Sequence, residues 1–259
     1  MITAGIDLGT QSVKVVILKD GQVLARGKAF SGFDPAKAAE QAFSEALKQA
    51  GISSSDVLHV TATGSGMDLA SNANSTVSMM GADAKAGVYL FPTARTVVDV
   101  GAEEARAVKC DDKGVMVDFV VNERCAAGAG TFIEAMARAL EVKLEEMGPL
   151  SLKAERASSI NASCVIFGES DVVSLIHRQE PKPEIARAIF DAMADRISSM
   201  MHRLGITPDV VLVGGVAKDV GFVASLKRKL GIELLIPEYP EYAGALGAAL
   251  IAVNRVKKV

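Results

Sequence analysis

Two mostly apolar runs lie on either side of a glycine turn at the start of the chain, a pattern that predicts a β-hairpin over residues 1–18. Residues 22–30 follow a second turn and are expected to form a third strand. A helix is predicted over residues 34–50, because Pro35 stands in its first turn and Gly51 follows its last residue. The chain therefore begins with three strands and a helix.

The same order of elements returns further along the chain. A strand is predicted over residues 57–63 and a helix over 82–90, and the β pattern restarts over 96–107 and 115–121. Further helices are expected over residues 132–144, 171–177, 185–204 and 243–259, and further strands over 208–213 and 234–236. The repetition predicts a duplicated α/β fold of two lobes with a cleft between them.

Composition limits the possible classes of protein. The chain has 259 residues, 49% of them hydrophobic, and a net charge of −3, which supports a packed core and argues against disorder. Because there is no block of lysine or arginine, nucleic acid is not an expected partner. The longest apolar stretch, residues 243–253, is too short to span a bilayer, and no charged-then-apolar leader opens the chain. We therefore expect a soluble, cytoplasmic protein with no membrane partner.

Two segments share a motif that is typical of phosphate-binding turns. Asp7-Leu8-Gly9 and Asp99-Val100-Gly101 each follow an apolar β run, and Lys14 and Arg106 each stand seven positions after the aspartate. Glycine lets the backbone approach a ligand closely, so that N–H groups of the turn point at phosphate oxygens. Aspartate offers a hard oxygen to Mg²⁺. A single Asp-X-Gly is usually just a turn, whereas two in matching contexts favour a pair of hairpins that hold nucleotide phosphates and a metal ion.

A third segment has the composition of a nucleoside-binding turn. The apolar strand over residues 208–213 enters Gly214-Gly215 and then a helix, although the same joint could serve packing alone. The order hairpin, hairpin and Gly-Gly turn resembles the actin, Hsp70 and sugar-kinase ATPase superfamily, whose fold is ribonuclease H-like. The resemblance implies ATP or ADP in the cleft and a last helix that returns to the first half. Lobe I would then comprise residues 1–95 and 241–259, and lobe II residues 96–240.

The same resemblance implies a role for each residue of these motifs. Asp7 and Asp99 would be catalytic groups that organise Mg²⁺ and water. The phosphates would be held by Gly9, Thr10, Gln11, Ser12, Lys14, Gly101 and Ala102, and the adenosine by Gly214, Gly215 and Lys218.

Three cysteines, an odd number, argue against a disulfide framework. Cys125 and Cys164 each lie just before the start of a helix, whose N-terminus would stabilise a thiolate or an anionic iron–sulfur cluster. On spacing alone, cysteines of this kind are more often small buried hydrophobic residues. Two cysteines cannot complete a four-thiolate cluster, so a [4Fe–4S] cluster would need a second subunit.

Three segments make the resemblance more specific: residues 86–96, 122–130 and 164–170. With the hairpins, they closely resemble the ATP-dependent reductase activators of 2-hydroxyacyl-CoA dehydratases and the ATPase subunits of benzoyl-CoA reductase, over nearly the whole chain. This resemblance implies that Cys125 and Cys164 are ligands of one [4Fe–4S] cluster that two subunits share.

The chain departs from the activators in the second hairpin and at its third cysteine. Residues 99–104 read Asp-Val-Gly-Ala-Glu-Glu, which is more like the smaller ATPase subunit of benzoyl-CoA reductase. The second subunit is therefore either another copy or a paralogous ATPase subunit. Glu103 stands where the activators have glutamine, and it is the expected catalytic group for orienting water. Cys110 lies in an exposed-looking stretch and matches no ligand of the family.

The resemblance as a whole implies an ATP-hydrolysing reductase component. A ferredoxin-like protein would donate the electron, the cluster would carry it, and an acyl-CoA reductase or dehydratase would receive it. The acyl-CoA would bind to that other chain, so its identity is not written in this one. Two alternatives stay open: a small-molecule kinase of the same superfamily, for which no phosphoacceptor loop is evident, and a nucleotide-switched binding module without a redox role.

Overall fold

The computed structural model describes residues 1–122, 130–156, 158–160 and 165–257. Its strands are β1 (Ile2–Leu8), β2 (Ser12–Lys19), β3 (Gln22–Phe30), β4 (His59–Thr63), β5 (Ser75–Thr76), β6 (Thr96–Val100), β7 (Ala105–Cys110), β8 (Met116–Asn122) and β9 (Val210–Val213). Its helices are α1 (Pro35–Ala50), α2 (Met79–Leu90), α3 (Gly130–Ala139), α4 (Leu144–Ser151), α5 (Val165–His177), α6 (Lys182–Leu204), α7 (Val220–Leu230) and α8 (Ala243–Val256).

Two compact units divide the chain. The first unit comprises Met1–Val97, Val108–Asp118 and Pro237–Val259, and the second unit comprises Val98–Ala107 and Phe119–Ile236. The first unit therefore takes in a short segment, residues 108–118, that the sequence-based division assigns to the second lobe. Each unit contains strands and helices, so the chain has the α/β fold that the sequence predicts.

The sheet of the first unit has the strand order β3-β2-β1-β4-β5. Strands β1 and β2 form the predicted hairpin, β3 pairs with β2 in antiparallel fashion, and β4 runs parallel to β1. Helix α1 covers one face of this sheet, where Ile6 and Phe43 share a buried core. Asp34 begins α1 by accepting a hydrogen bond from Lys37 N at 3.0 Å, and Gly51 ends it with a φ of 67°. The helix predicted at this place is confirmed.

Helix α8 packs against the other face of the same sheet. Gly5 lies on that face because it alternates with Ile6 along β1. A Cβ on Gly5 would overlap the carbonyl oxygen of Ala245, and a Cβ on Gly247 would overlap that of Ala82 in α2. The backbone of α8 therefore lies directly against both β1 and α2.

Replacing Gly5 by Ala is expected to lower the free energy of unfolding by about 2–3 kcal/mol, because the added methyl group forces α8 away from β1. Urea denaturation measures this loss. Gly215→Ala is a matched control, since a methyl group there would meet no atom within 4 Å. An unchanged unfolding midpoint for the Gly5 variant would contradict the close packing of α8.

The second sheet has the strand order β8-β7-β6-β9. In the second unit, helices α3, α6 and α7 contribute Phe132, Phe190 and Phe222 to one core, and all three rings are fully buried. Helix α6 buries the face that the sequence predicts, which includes Ile185 and Ile189. Among the residues described, every helix is too short or too polar to cross a lipid bilayer.

Several elements differ from the sequence-based predictions; helix α3, predicted to reach residue 144, ends at Ala139. Helix α5 begins earlier than predicted, at Val165. The sequence does not predict α4, because Gly148 and Pro149 lie inside it and both residues disfavour a helix interior. Residues 234–236 do not form a strand, since Leu235 makes only an isolated bridge to β9. The predicted strand there is wrong, because a proline follows directly and cannot continue a ladder.

Candidate functional site

The first candidate phosphate-binding turn joins β1 to β2. Asp7 and Lys14 are register partners in this hairpin, and the tip lies between them. The hydroxyl of Ser31 holds the tip by donating to Gly9 O at 2.7 Å. Lys14 Nζ donates to Ser12 O at 3.1 Å. The first turn is therefore a supported loop with an ammonium group beside its tip.

The second turn joins β6 to β7. Gly101 N donates to Glu104 O at 2.9 Å, which closes the turn, and Glu103 is exposed at its tip. Asp99 and Arg106 are both 8% exposed, and the Arg106 guanidinium forms an ion pair with Asp99 Oδ2. Arg106 also donates to Glu104 Oε1 at 3.0 Å. One buried guanidinium therefore joins two carboxylates of the second turn.

A glycine at the end of the neighbouring strand supports each aspartate. Gly64 follows β4 with a φ of 94°, and a Cβ there would lie 2.6 Å from Asp7 Oδ1. Gly214 follows β9 with a φ of 90°, and a Cβ there would overlap Asp99 Oδ1. Both the backbone conformation and the lack of space require glycine at these positions. The two turns are copies of one structure, which confirms the predicted duplication.

Each aspartate has a different source of positive potential nearby. Gly244 lies in the first turn of α8, where a Cβ would be 3.0 Å from Asp7 Oδ2. Because the N-terminus of a helix carries partial positive charge, the start of α8 presents positive potential to the Asp7 carboxylate. Asp99 has the guanidinium of Arg106 instead. Each aspartate therefore faces a source of positive potential within its own unit.

The Gly-Gly turn leads from β9 into α7. Gly215 and Lys218 are exposed, and the space beside Gly215 is open. Asp219 begins α7 by accepting hydrogen bonds from Gly221 N at 2.8 Å and Phe222 N at 3.1 Å. Burial raises the pKa of the Asp219 carboxyl above its ordinary value despite these two bonds. The backbone at Gly215 is therefore accessible, and it lies just before a helix whose N-terminus is capped by Asp219.

Helix α3 begins directly on the second turn. Gly130 N donates to Gly101 O at 2.9 Å, and Thr131 N donates to Ala102 O at 2.8 Å. The first N–H groups of a helix have no partner within the helix, so these bonds satisfy them. The start of α3 is therefore hydrogen-bonded directly to the tip of the second turn.

Two buried threonine hydroxyls near the turns have no hydrogen-bond partner among the described residues, Thr63 Oγ1 and Thr131 Oγ1. Thr63 is the register partner of Asp7 on β4, and Thr131 N bonds the second turn. Since a buried polar atom without a partner costs about 1–3 kcal/mol, such atoms fit a site whose ligand satisfies them. Within each unit, the hydroxyl, the aspartate and the glycine turn offer groups that can contact Mg²⁺ or phosphate oxygens.

Sequence analysis missed three of these residues, Thr63, Thr131 and Gly244. Each one acts through a contact with an element distant in sequence, which a local pattern does not reveal. One signal was available: a glycine directly after an apolar strand occurs twice, at Gly64 and Gly214.

Comparison with known proteins shows which protein family contains this pair of turns. Residues 4–252 match the sequence model of the BadF/BadG/BcrA/BcrD ATPase family. The chain belongs to this ATPase family. Among curated relatives, the chain is 36% identical over 258 residues to the activator of lactoyl-CoA dehydratase of Anaerotignum propionicum, and the match covers 100% of both chains. It is 35% identical over 270 residues to a subunit of the benzoyl-CoA reductase of Thauera aromatica, covering 100% of this chain and 95% of that one.

Solved structures show the same similarity in three dimensions. The activator of the 2-hydroxyisocaproyl-CoA dehydratase from Clostridium difficile, with bound ADPNP, has a TM-score of 0.94 at 33% identity, covering 100% of this chain and 96% of that one. A glucokinase of the ROK family from Streptomyces griseus has a TM-score of 0.58 at 14% identity, covering 98% and 100%. The second likeness shows the fold alone. The ATPase fold shared with sugar kinases, predicted from the sequence, is confirmed.

Every predicted nucleotide-site residue lies at one of the three turns. In the first unit these are Asp7, Gly9, Thr10, Gln11, Ser12 and Lys14, and in the second unit Asp99, Gly101, Ala102, Glu103, Gly214, Gly215 and Lys218. The predicted cluster ligands Cys125 and Cys164 lie outside the described residues. Within the described ranges, no three histidine, cysteine or acidic side chains are grouped so as to hold a metal ion.

Cys110 differs from its prediction. The sequence places it in an exposed-looking stretch, but the side chain is only 5% exposed, and Sγ lies 3.9 Å from Ala94 O. Strand β7 extends to this residue, whose N–H bonds Arg95 O at 3.1 Å, so the alternation of the strand turns the thiol inward. Burial raises the pKa of the Cys110 thiol above its ordinary value. The polar residues around Cys110 in the sequence were misleading.

Proposed function

We propose that this chain is the ATP-hydrolysing component that supplies low-potential electrons to a 2-hydroxyacyl-CoA dehydratase or to an acyl-CoA reductase. The observation that carries the proposal is the duplicated Asp-X-Gly turn, with Gly64 and Gly214 behind the two aspartates, in a chain that matches a dehydratase activator over its full length. A relative of the same fold binds the ATP analogue ADPNP, which supports nucleotide binding at these turns.

The two Asp-X-Gly turns would hold the phosphates of ATP. Backbone N–H groups at glycine turns bind phosphate oxygens, and the ammonium group of Lys14 adds a charge-assisted contact. Asp7 and Asp99 would hold Mg²⁺ directly or through water, and the ion would offset the negative charge of the phosphates. Glu103, exposed at the second tip, would orient the attacking water.

The Gly-Gly turn would receive the adenosine. The space beside Gly215 is open, so the nucleoside can approach the backbone there without meeting a side chain. Lys218 is exposed at the end of the same turn, where it can contact the nucleotide. Firm capping of α7 by Asp219 keeps this backbone in place.

The bonds between the second turn and α3 would link nucleotide state to the segment that carries Cys125. Gly101 and Ala102 accept hydrogen bonds from the first two N–H groups of α3, and Cys125 lies in the segment just before that helix. A nucleotide that repositions the tip therefore repositions the helix. ATP and ADP must differ in their affinity for two arrangements, and a tenfold shift in population needs about 1.4 kcal/mol of difference.

Cys125 and Cys164 would bind a [4Fe–4S] cluster together with two cysteines of a second subunit, because one chain offers only half of the required thiolates. When bound, such a cluster supplies one-electron transfer at low potential. Helix α5 begins directly after Cys164 and leaves Ile166 69% and Phe167 59% exposed. Large exposed apolar side chains in a row are typical of surfaces that a partner covers, which supports a subunit interface there.

The electron donor would be a ferredoxin-like protein, and the acceptor would be the dehydratase or reductase component. The second ATPase subunit would be another copy of this chain or a paralogue. The acyl-CoA would bind to the acceptor, so its structure is not determined by this chain.

Purification without oxygen tests the redox half of the proposal. We expect about four iron and four sulfide per two chains, as one shared [4Fe–4S] cluster requires. We also expect an external chelator to remove the iron at rates that differ about tenfold between the ADP state and the ADPNP state, because nucleotide changes the surroundings of the cluster.

Other outcomes would favour the alternatives. A protein that hydrolyses ATP but carries neither iron nor sulfide would be a nucleotide-switched binding module. Transfer of phosphate from ATP to a small molecule instead of water would indicate a kinase. Equal chelation rates in the nucleotide-free, ADP and ADPNP states, with binding of both nucleotides verified, would contradict the coupling.

A further inference from the structure

Arg106 occupies the centre of the second turn. Its guanidinium bonds Asp99 Oδ2 and Glu104 Oε1, and the residue is 8% exposed. The other oxygen of Asp99 lies against Gly214, where not even a Cβ fits. Oδ2 of Asp99 is therefore paired with the guanidinium, and Oδ1 lies close to Gly214, all within the second unit.

The first turn uses its matching basic residue differently. Lys14 stands seven positions after Asp7, as Arg106 stands after Asp99, yet Lys14 Nζ donates to Ser12 O in the hairpin. The duplicated motif thus places one cation beside a turn tip and the other between two carboxylates. A divalent cation bridges carboxylate oxygens in the same manner.

We infer that Arg106 acts as a built-in cation of the second turn and fills the place between Asp99 and Glu104 that a divalent metal ion would take. The Mg²⁺ that accompanies ATP is then bound directly through Asp7, and Asp99 serves as an oriented carboxylate that contacts water. Arg106 is a positioning residue, since it acts through Asp99. The assignment of Mg²⁺ to Asp7 rests on the proposed function, whereas the role of Arg106 does not.

The charges of the second turn support this inference. Without Arg106, three carboxylates would remain within six residues of sequence, those of Asp99, Glu103 and Glu104. Asp99 is buried, so its negative charge needs a compensating partner. Removing the guanidinium should therefore create an affinity for divalent ions that the wild-type turn lacks.

Divalent-cation binding by the nucleotide-free protein tests the role of Arg106. We expect Arg106→Ala to bind Mn²⁺ about tenfold more tightly than the wild type, equivalent to about 1.4 kcal/mol, as measured by electron paramagnetic resonance. Its melting temperature should also rise when Mn²⁺ or Mg²⁺ is added. Arg106→Lys should behave like the wild type, because it keeps the positive charge between the carboxylates.

Arg187→Ala is the matched control. Arg187 lies on α6 in the second unit and pairs with Asp191 at 3.5 Å, so its loss also breaks an ion pair of that unit. We expect this variant to lose stability without gaining Mn²⁺ affinity. If Arg187→Ala gained as much Mn²⁺ affinity as Arg106→Ala, the gain would be a general effect of removing an arginine, and the inference would be overturned.

Three further results would overturn it. The first is equal Mn²⁺ binding by Arg106→Ala and the wild type, and the second is an equal gain in Arg106→Lys. The third comes from the wild-type protein itself, so it does not depend on the variants folding: with ADPNP bound we expect about one Mn²⁺ per chain, and two would contradict a built-in cation. If the wild type binds no nucleotide but Arg106→Ala gains the Mn²⁺ site, the proposed function fails and the role of Arg106 stands.

Discussion

Replacing Asp7 by Asn is expected to reduce ATP hydrolysis by about a hundredfold or more while leaving the fold intact. Asn has the shape of Asp, so it fits against Gly64 and beside Gly244, but it lacks the charge that holds Mg²⁺. Phosphate release measures hydrolysis, and urea denaturation measures the fold. Hydrolysis at the wild-type rate would contradict the role of the first turn.

Asp99→Asn is expected to reduce hydrolysis as well, but with a cost in stability that Asp7→Asn does not have. The substitution removes one of the two carboxylates that hold the buried guanidinium of Arg106, and Glu104 remains as its partner. Because a buried charge that loses a partner is destabilising, we expect the free energy of unfolding to fall by up to about 3 kcal/mol. Equal stability of the two variants would show that the ion pair of Arg106 contributes little.

Cys125→Ala and Cys164→Ala are each expected to abolish the iron–sulfur cluster and to weaken the association of subunits. Each change removes a thiolate that every copy of the chain would contribute to the proposed four-cysteine site, and the proposed cluster would itself bridge the subunits. Iron and sulfide analysis after purification without oxygen measures the first effect, and gel filtration measures the second. We expect less than about a tenth of the wild-type iron in either variant, since the site would keep only two thiolates in a dimer of identical chains, or three beside a paralogous subunit.

Cys110→Ala is the control for this pair. Its thiol is buried and has a raised pKa, so it does not offer the accessible thiolate that a cluster needs. The variant should keep the wild-type iron content and lose only a little stability. Unaltered iron in Cys164→Ala, or loss of iron in Cys110→Ala, would contradict the assignment of ligands.

The two Asp-X-Gly turns could be predicted from the sequence because the residues that form each turn are neighbours in the chain. An apolar strand, an aspartate and a glycine two positions later define such a turn within a few residues, and its repetition reveals the duplication. The strand–glycine joints at Gly64 and Gly214 carry a weaker signal. These glycines lie against the carboxylates of Asp7 and Asp99, which are more than fifty residues away in the sequence. Only the structure reveals these contacts.

The partners of charged side chains could not be predicted. Lys14 and Arg106 occupy equivalent positions in sequence, yet the first bonds a backbone carbonyl and the second bonds two carboxylates. Which partner each basic side chain bonds depends on whether a carboxylate such as Glu104 is nearby and on how deeply the strand buries the basic residue. Both conditions are set by packing. Cys110 shows the same limit, since polar neighbours in sequence do not reveal which way a strand turns a side chain.

The first unit is assembled from segments that a ribosome releases at different times. Strand β1 carries Asp7 and emerges early, whereas α8, whose Gly244 lies against Asp7, follows the whole of the second unit in sequence. Until α8 has been synthesised, the face of β1 at Gly5 is uncovered, and the positive end of the helix is missing from the first turn. A nascent chain therefore cannot complete the surroundings of Asp7 before the residues of the second unit have been synthesised.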